Sequence, residues 1–443
     1  MQKANAKTQR QASDRIGGTE IALGIQHLFA MFGATVLVPL LTNMNPAVAL
    51  ATAGIGTLIF HACTKFKVPV FVGSSFAFIP GIAAAVASKG VEYAQGGIIA
   101  AGLVYLVFAL LVFLIGTDKI KKLFPPVVTG PVIVVIGIGL AGTAINDALG
   151  GLDVSAGFTA AAGANLGIAV FTLFVVILCT IFAKGFFKLV PILIGIASGY
   201  VLCAVLGLLG LFPMDYSAFE TASWINIPYV TEFVNDLGQK TTFFSLPKFD
   251  WGVIISIAPV ALVTFMEHIG DITTNGAVVG KNFFADPGLH RTLLGDGLAT
   301  AVAGFVGGPA NTTYSENTGV LATTKNYNPK ILRLAAVFAI ILGFVGKFGA
   351  LLQTIPAPVK GGVEMMLFGM IASIGIRTLA ESKLDFTHSR NLIIVAVILV
   401  TGLGINTIGG LTIAVAGISI SVSGLFVATV LGVLLNALLP EEV

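Results

Sequence analysis

Two carboxylates four residues apart, Glu267 and Asp271, stand in the stretch Met266-Glu267-His268-Ile269-Gly270-Asp271. That stretch lies in an apolar run from Trp251 to about Val279, long enough to cross a bilayer as a helix. Residues four apart share one helical face. Ionisable groups at bilayer depth are costly, and they usually line a bundle interior or a substrate path. The run holds no Lys or Arg to pair with Glu267, so its expected chemistry is substrate binding and proton uptake. Asp271 either joins the proton transfer or hydrogen-bonds the backbone of a neighbouring segment. His268 points off this face and is expected to be a packed, hydrogen-bonded histidine. Glu267, His268 and Asp271 do not all share one face, and no cysteine or second histidine is near, so no metal site is expected.

A second candidate is Glu316, in Pro309-Ala310-Asn311-Thr312-Thr313-Tyr314-Ser315-Glu316-Asn317-Thr318-Gly319. It opens a helix-compatible run, where the helix dipole favours negative charge. Phe76 and Tyr314 hold related places in two broken segments and could sandwich a planar ring. Carboxylates accept from ring N–H groups, and free backbone N–H groups donate to ring carbonyls. A small planar heterocycle with alternating N–H and C=O groups fits that inventory. His27 lies in the first span; it either meets Glu267 or Asp271 across helices or makes a structural hydrogen bond. Asp296 and Glu364 also fall within spans and are expected at helix interfaces.

The elements that must position these groups are membrane helices. Of 443 residues, 56% are hydrophobic and 10% charged, against roughly 25% charged in a soluble domain. With a mean hydropathy of +0.97, the chain reads as a polytopic membrane protein in contact with the lipid bilayer. A formal charge of +3 without a long basic run gives no reason to expect nucleic-acid binding. Cys63, Cys179 and Cys203 lack metal-ligand spacing and read as small buried hydrophobes. The polar residues 1–18 lack a cleavable leader pattern and read as a cytoplasmic tail.

Apolar windows near spanning length recur at about 19–42, 46–64, 68–88, 95–116, 126–145, 163–183, 187–210, 251–277, 289–308, 309–323, 330–353, 357–376, 389–408 and 417–439. The fold class expected is therefore all-α, with fourteen transmembrane segments. With the N-terminus inside, nineteen of the 24 basic residues fall in inside segments. That bias supports the count and places both ends in the cytoplasm. The segment 211–250 then falls outside.

Phe124-Pro125-Pro126-Val127-Val128-Thr129-Gly130-Pro131-Val132 matches Ile355-Pro356-Ala357-Pro358-Val359-Lys360-Gly361-Gly362-Val363 at an offset of 231 residues. Seven spans separate the two, an odd number, so the chain reads as two inverted seven-segment repeats. The polar, Gly/Pro-broken third and tenth segments are also seven apart. Each is expected to hold a short strand leading into a half-helix, the pattern of secondary transporters whose sites lie near the midplane. Non-helical backbone at that depth must be enclosed by protein or a cavity.

On these residues the chain resembles the nucleobase/cation symporter-2 family, the nucleobase–ascorbate transporters. The resemblance covers nearly all of the chain. It rests on Gln26-His27-Leu28-Phe29-Ala30-Met31-Phe32-Gly33-Ala34-Thr35, Gly73-Ser74-Ser75-Phe76-Ala77-Phe78, Glu267-His268-Ile269-Gly270, Asp286-Pro287-Gly288-Leu289-His290-Arg291 and the 311–319 stretch. It implies a core domain over 19–116 and 251–353, a gate domain over 117–250 and 354–439, homodimers, and proton-coupled uptake across a bacterial inner membrane without a cofactor. It implies that Glu267 and Glu316 hydrogen-bond a nucleobase, that backbone N–H groups of Phe76 and Ser315 meet its carbonyls, and that Ala34 and Tyr314 wall the pocket. Proton coupling would fall to Glu267, with Asp271 or His27 assisting. Some relatives carry His where this chain has Asp271 and Tyr where it has Phe368. Purine-specific relatives tend to carry Gln at Glu316, so the glutamate here favours uracil over xanthine or urate. Rival readings are an anion carrier of similar fold, a membrane enzyme using the carboxylates as acid and base, and a channel.

Overall fold

A computed structural model describes residues 17–116, 119, 122, 124–155, 157–415 and 418–440. Apart from its last two residues, the tail expected over 1–18 lies outside them. The chain runs α1 (Gly18–Leu41), α2 (Pro46–Cys63), β1 (Val72–Ser74), α3 (Ile79–Lys89), α4 (Val91–Ile115), α5 (Pro126–Gly139), α6 (Ala141–Ala148), α7 (Ala160–Phe182) and α8 (Pro191–Leu208). A short helix α9 (Ser217–Thr221) and the hairpin β2 (Glu232–Val234) and β3 (Lys240–Thr242) follow. Then come α10 (Trp251–Ile257), α11 (Ala261–Val279), α12 (Leu289–Val306), β4 (Asn311–Thr313), α13 (Ser315–Thr324), α14 (Pro329–Phe344), α15 (Gly346–Gln353), α16 (Ala357–Glu381) and α17 (Ser389–Thr407). The chain closes with β5 (Leu411–Val415), β6 (Ile418–Val422) and α18 (Gly424–Leu438).

Local sequence explains many boundaries. Asn45-Pro46 and Asn328-Pro329 open α2 and α14 alike. Each asparagine side chain accepts from a first-turn amide, at 2.9 Å from Ala47 N and 3.0 Å from Lys330 N, and each proline occupies a position that needs no N–H. Asp250 caps α10 through Val253 N, 3.1 Å away.

Among the described residues, nine helices are long and apolar enough to cross a membrane. Five further segments expected to span (α3, α12, α13, α14 and α18) are shorter or less apolar. Large apolar side chains stand exposed in stripes, such as Leu103, Val107, Leu110 and Leu114 on α4, and Phe174, Leu178 and Ile181 on α7. Patches of this size suit a hydrocarbon surrounding. α12 packs on α2 and α4, and α14 on α1 and α2; separately, α16 packs on α5, α6 and α7, and α17 on α5 and α18.

The two segments that hold β1 and β4 meet. β1 and β4 pair antiparallel, with Val72 opposite Thr313, Gly73 opposite Thr312 and Ser74 opposite Asn311. Both strands lead into helices, β1 through a tight turn at Phe76–Phe78 and β4 directly. A two-stranded ladder leaves an unpaired edge on each side, which apolar surroundings cannot satisfy. Two buried threonines close them. Thr57 on α2 accepts from Val72 N (2.9 Å) and contacts Val72 O (3.1 Å). Thr300 on α12 donates to Asn311 O (3.0 Å) and accepts from Asn311 N (3.3 Å). Replacing Thr300 by valine keeps the shape and orphans both backbone groups. The expected loss is about 1–3 kcal/mol of stability, read as a lower unfolding temperature in detergent; an unchanged value would refute the closure.

Three expectations need correction. Strands are not confined to the two broken segments, because β2–β3 and β5–β6 add two hairpins to the helices. The last span, expected from 417, begins only at Gly424. Residues 411–422 hold three Ile and two Val, whose branched side chains favour strands. The span expected at 251–277 is present as one helical run, Trp251–Val279, in which a tight 3₁₀ turn at Ala258–Val260, containing Pro259, joins α10 to α11. The expected span 330–353 does break, at Val345, which is extended and bridges to Ile225.

Candidate functional site

The site forms where α11 passes the start of α13. Glu267, Gly270, Asp271 and Thr274 follow one another along one face of α11, at helical spacing. Glu267 and Asp271 are half-buried and Gly270 and Thr274 are exposed, so this face borders open space. Ser315 and Glu316, the first two residues of α13, are exposed as well. Glu267 interacts electrostatically with Asp271 first, then with Glu316 and Asp296. Glu267, Asp271 and Glu316 therefore lie close enough to act on one another.

Asp271 is tied to the neighbouring segment. One oxygen accepts from Thr313 Oγ1 at 2.9 Å and the other from Ser315 Oγ. The carboxylate therefore pins the end of β4 and the start of α13 to α11. Ser315 commits its hydroxyl there; the amides of the first turn of α13 have no partner within the helix.

Tyr314 is buried and held by its hydroxyl, which donates to Ser74 O (2.8 Å). Having one proton, it must accept from Thr35 Oγ1 at 3.0 Å. Its ring lies 6.4 Å from that of Phe71. A Cβ on Gly73 would come within 2.7 Å of Tyr314 Cζ and 2.8 Å of Thr35 Oγ1, so glycine is required for this approach. Phe76 is half-buried and meets Phe368 of α16 edge-on, with centroids 5.8 Å apart. Ala34 is buried on α1, one residue before Thr35.

His27 does not stand alone at the site. Asn317 Nδ2 donates to His27 O (2.9 Å) and to His27 Nδ1 (3.1 Å), which leaves the ring proton on Nε2. His268 is fully buried, with Nδ1 2.7 Å from Asp296 Oδ2 and Nε2 2.9 Å from Thr292 Oγ1. Thr292 donates to Leu289 O at 2.9 Å, so Nε2 must donate to Thr292, and His268 shares a proton with Asp296. The packed histidine read from the sequence is what the structure holds. Asn275 Nδ2 adds a clamp, donating to Pro69 O (3.0 Å) and Thr318 Oγ1 (3.1 Å). Thr35, Asn275 and Asn317 were not singled out in the sequence. Thr35 and Asn317 lie within the quoted motifs, and a polar residue in an apolar helix was the available signal for Asn275.

Comparison with known proteins places the chain in a family. A family model described as Permease family matches residues 18–411. The uracil permease of Bacillus caldolyticus is 44% identical over 423 residues, 96% of this chain and 92% of that protein. The uracil permease of Escherichia coli (strain K12) is 39% identical over 430 residues, 96% of this chain and 93% of that protein. The fold is shared with the transmembrane domain of the cyanobacterium bicarbonate transporter BicA. That match has a TM-score of 0.62 and 15% identity, covering 88% of this chain and 96% of that one. The protein is thus a multi-pass membrane transporter and not an enzyme, and it belongs to the Permease family.

Proposed function

We propose that this protein imports uracil together with a proton. The observation that supports the reading is the electrostatic interaction of Glu267 with Glu316 beside the start of α13; in this proposal the two line one recess, with Tyr314 and Phe76 as aromatic walls. Two carboxylates accept from the two ring N–H groups of uracil, and the free amides near Phe76 and Ser315 donate to its carbonyls. The similarity to uracil permeases supports the choice of base. Glu267 takes the coupling proton. Asp271 assists by fixing α13 against α11, and His27 does so through Asn317.

Fourteen spans in two inverted repeats, with both termini in the cytoplasm of a bacterial inner membrane, complete the proposal. The denser packing within α1–α4 with α10–α15, and within α5–α8 with α16–α18, than across the two groups supports a core that moves against a gate. Homodimers are part of the same reading. Crosslinking in membranes tests that state, and a monomer at all concentrations would remove it.

Radiolabelled uracil uptake into proteoliposomes, with and without an inward proton gradient, tests the function. Uptake should rise with the gradient and be competed by uracil well ahead of xanthine. Competition by xanthine at equal concentration would move the assignment to another nucleobase. Bicarbonate flux without uracil flux would move it to an anion carrier.

Mutating Tyr314 to phenylalanine removes its bonds to Ser74 and Thr35 while keeping the ring. Uracil affinity should fall about 3- to 10-fold, in line with about 1 kcal/mol for a neutral hydrogen bond. Isothermal titration on purified protein reads this directly, and unchanged affinity would mean the hydroxyl does not position the wall.

A further inference from the structure

α16 carries a carboxylate that the site does not use. Glu364 is 0% exposed, and among the described residues neither of its carboxylate oxygens has a hydrogen-bond partner. The helices packed on α16 are α5, α6, α7 and α8. α5, α7 and α8 contain no Asp, Glu, Lys, Arg or His. Their titratable groups are Cys179 on α7 and Tyr200 and Cys203 on α8, and the Tyr200 hydroxyl is engaged by Thr354 at 2.8 Å. The charges that act on Glu364 are Asp147 of α6 and Lys360, one turn earlier on α16.

These two form a loose pair. Lys360 Nζ stands 3.9 Å from Asp147 Oδ2, with side chains only 13% and 16% exposed. Asp236 acts on Asp147 from the segment beyond. The helices touch main chain to main chain here, since a Cβ on Gly361 would lie 2.2 Å from Ala148 N. A cavity of about 1390 Å³ adjoins this end of α16, bordered by Asp236, Gly150, Asn165 and Pro356–Pro358. Lys360, Glu364 and Phe368 lie along one stripe of α16, at i, i+4 and i+8. The stripe runs from the cavity end to Phe368, whose ring meets Phe76 at the recess.

A carboxyl group without donors is a proton-binding group: neutral it suits apolar packing, and ionised it needs a cation turned toward it. We infer that Glu364 is a second proton-binding site, reached from the cavity past Asp147 and Lys360, whose occupancy controls how α16 presents Phe368 to the recess. The proton comes from water or buffer acid in the cavity and adds to a Glu364 oxygen, with no other bond changed. The coupling to transport rests on the proton-symport reading above; the proton-binding site itself does not.

Infrared spectroscopy of the purified protein in nanodiscs tests the site without substrate. Wild type should show a protonated-carboxyl band that Glu364→Gln lacks and Glu267→Gln keeps. Lys360→Met and Asp147→Asn should move the pH midpoint of that band while leaving residue 364 in place. Thermal melts of each variant report folding separately. In proteoliposomes, Glu364→Gln should flatten the dependence of uracil uptake on pH at the cavity side at least three-fold. A Glu364→Gln protein that keeps both the wild-type carboxyl spectrum and the wild-type pH profile overturns the proposal, as does a band that responds to sodium and not to pH. If wild type moves no uracil, the transport reading fails, and the infrared result still judges Glu364.

Discussion

Glu267→Gln and Glu316→Gln are each expected to lower uracil affinity about 10- to 100-fold, the range for losing a hydrogen bond to a charged group. The cause is the loss of the carboxyl group's freedom. A carboxyl can offer an accepting oxygen to a ring N–H in either protonation state, whereas the glutamine amide carries fixed N–H donors, one end of which has to be turned away, and takes up no proton. Glu267 has no cation within its own helix to fall back on, and the charges it feels are those of Asp271, Glu316 and Asp296. Binding of labelled uracil to purified protein separates this from a folding defect, and gradient-driven uptake adds a second readout. Glu267→Gln should also uncouple uptake from the proton gradient, while Glu316→Gln should weaken binding with the coupling ratio kept. Wild-type affinity in both variants would remove the site from this recess.

Gly73→Ala is the second large effect. The added methyl would sit 2.7 Å from Tyr314 Cζ and 2.8 Å from Thr35 Oγ1, far inside van der Waals contact. Tyr314 cannot retreat without leaving Ser74 O and Thr35, which hold its hydroxyl at 2.8 and 3.0 Å. Overpacking of this kind costs about 1–3 kcal/mol, and here the strain falls on Tyr314, the proposed wall of the uracil pocket. Uracil affinity should drop at least about 10-fold, beyond the loss seen for Tyr314→Phe, since the ring moves as well as its hydroxyl. Titration of both variants checks the order. Gly73→Ala binding as tightly as wild type would mean that the ring has room the structure does not show.

Much of this was legible in the chain because a few residues break an apolar rule. Glu267 and Asp271 announced themselves as charges inside a spanning run, and Glu316 as an acid at a half-helix start. The strand tendency at 70–75 and 311–313 was visible for the same reason, as turn and strand formers where a helix should be. The destination of Asp271 was not legible: whether it moves a proton or holds Thr313 and Ser315 depends on hydroxyls 42 and 44 residues away. The tie between His27 and Asn317 spans 290 residues and has no local signature. The hairpin at 411–422 was hidden by composition, because Ile and Val serve strands and membrane helices alike. The break at Val345 does not show in hydropathy, since an apolar run stays apolar across it.

The threonine closures of β1 and β4 have a mechanical meaning. With Thr57 bolted to one rim and Thr300 to the other, the strand pair is a plate fixed to α2 and α12 together. Sliding either helix alone would shear two buried hydrogen bonds at once. In the proposed alternating access, the plate and both helices would travel together, and the opening of the recess would run along the contact that α16 makes through Phe368.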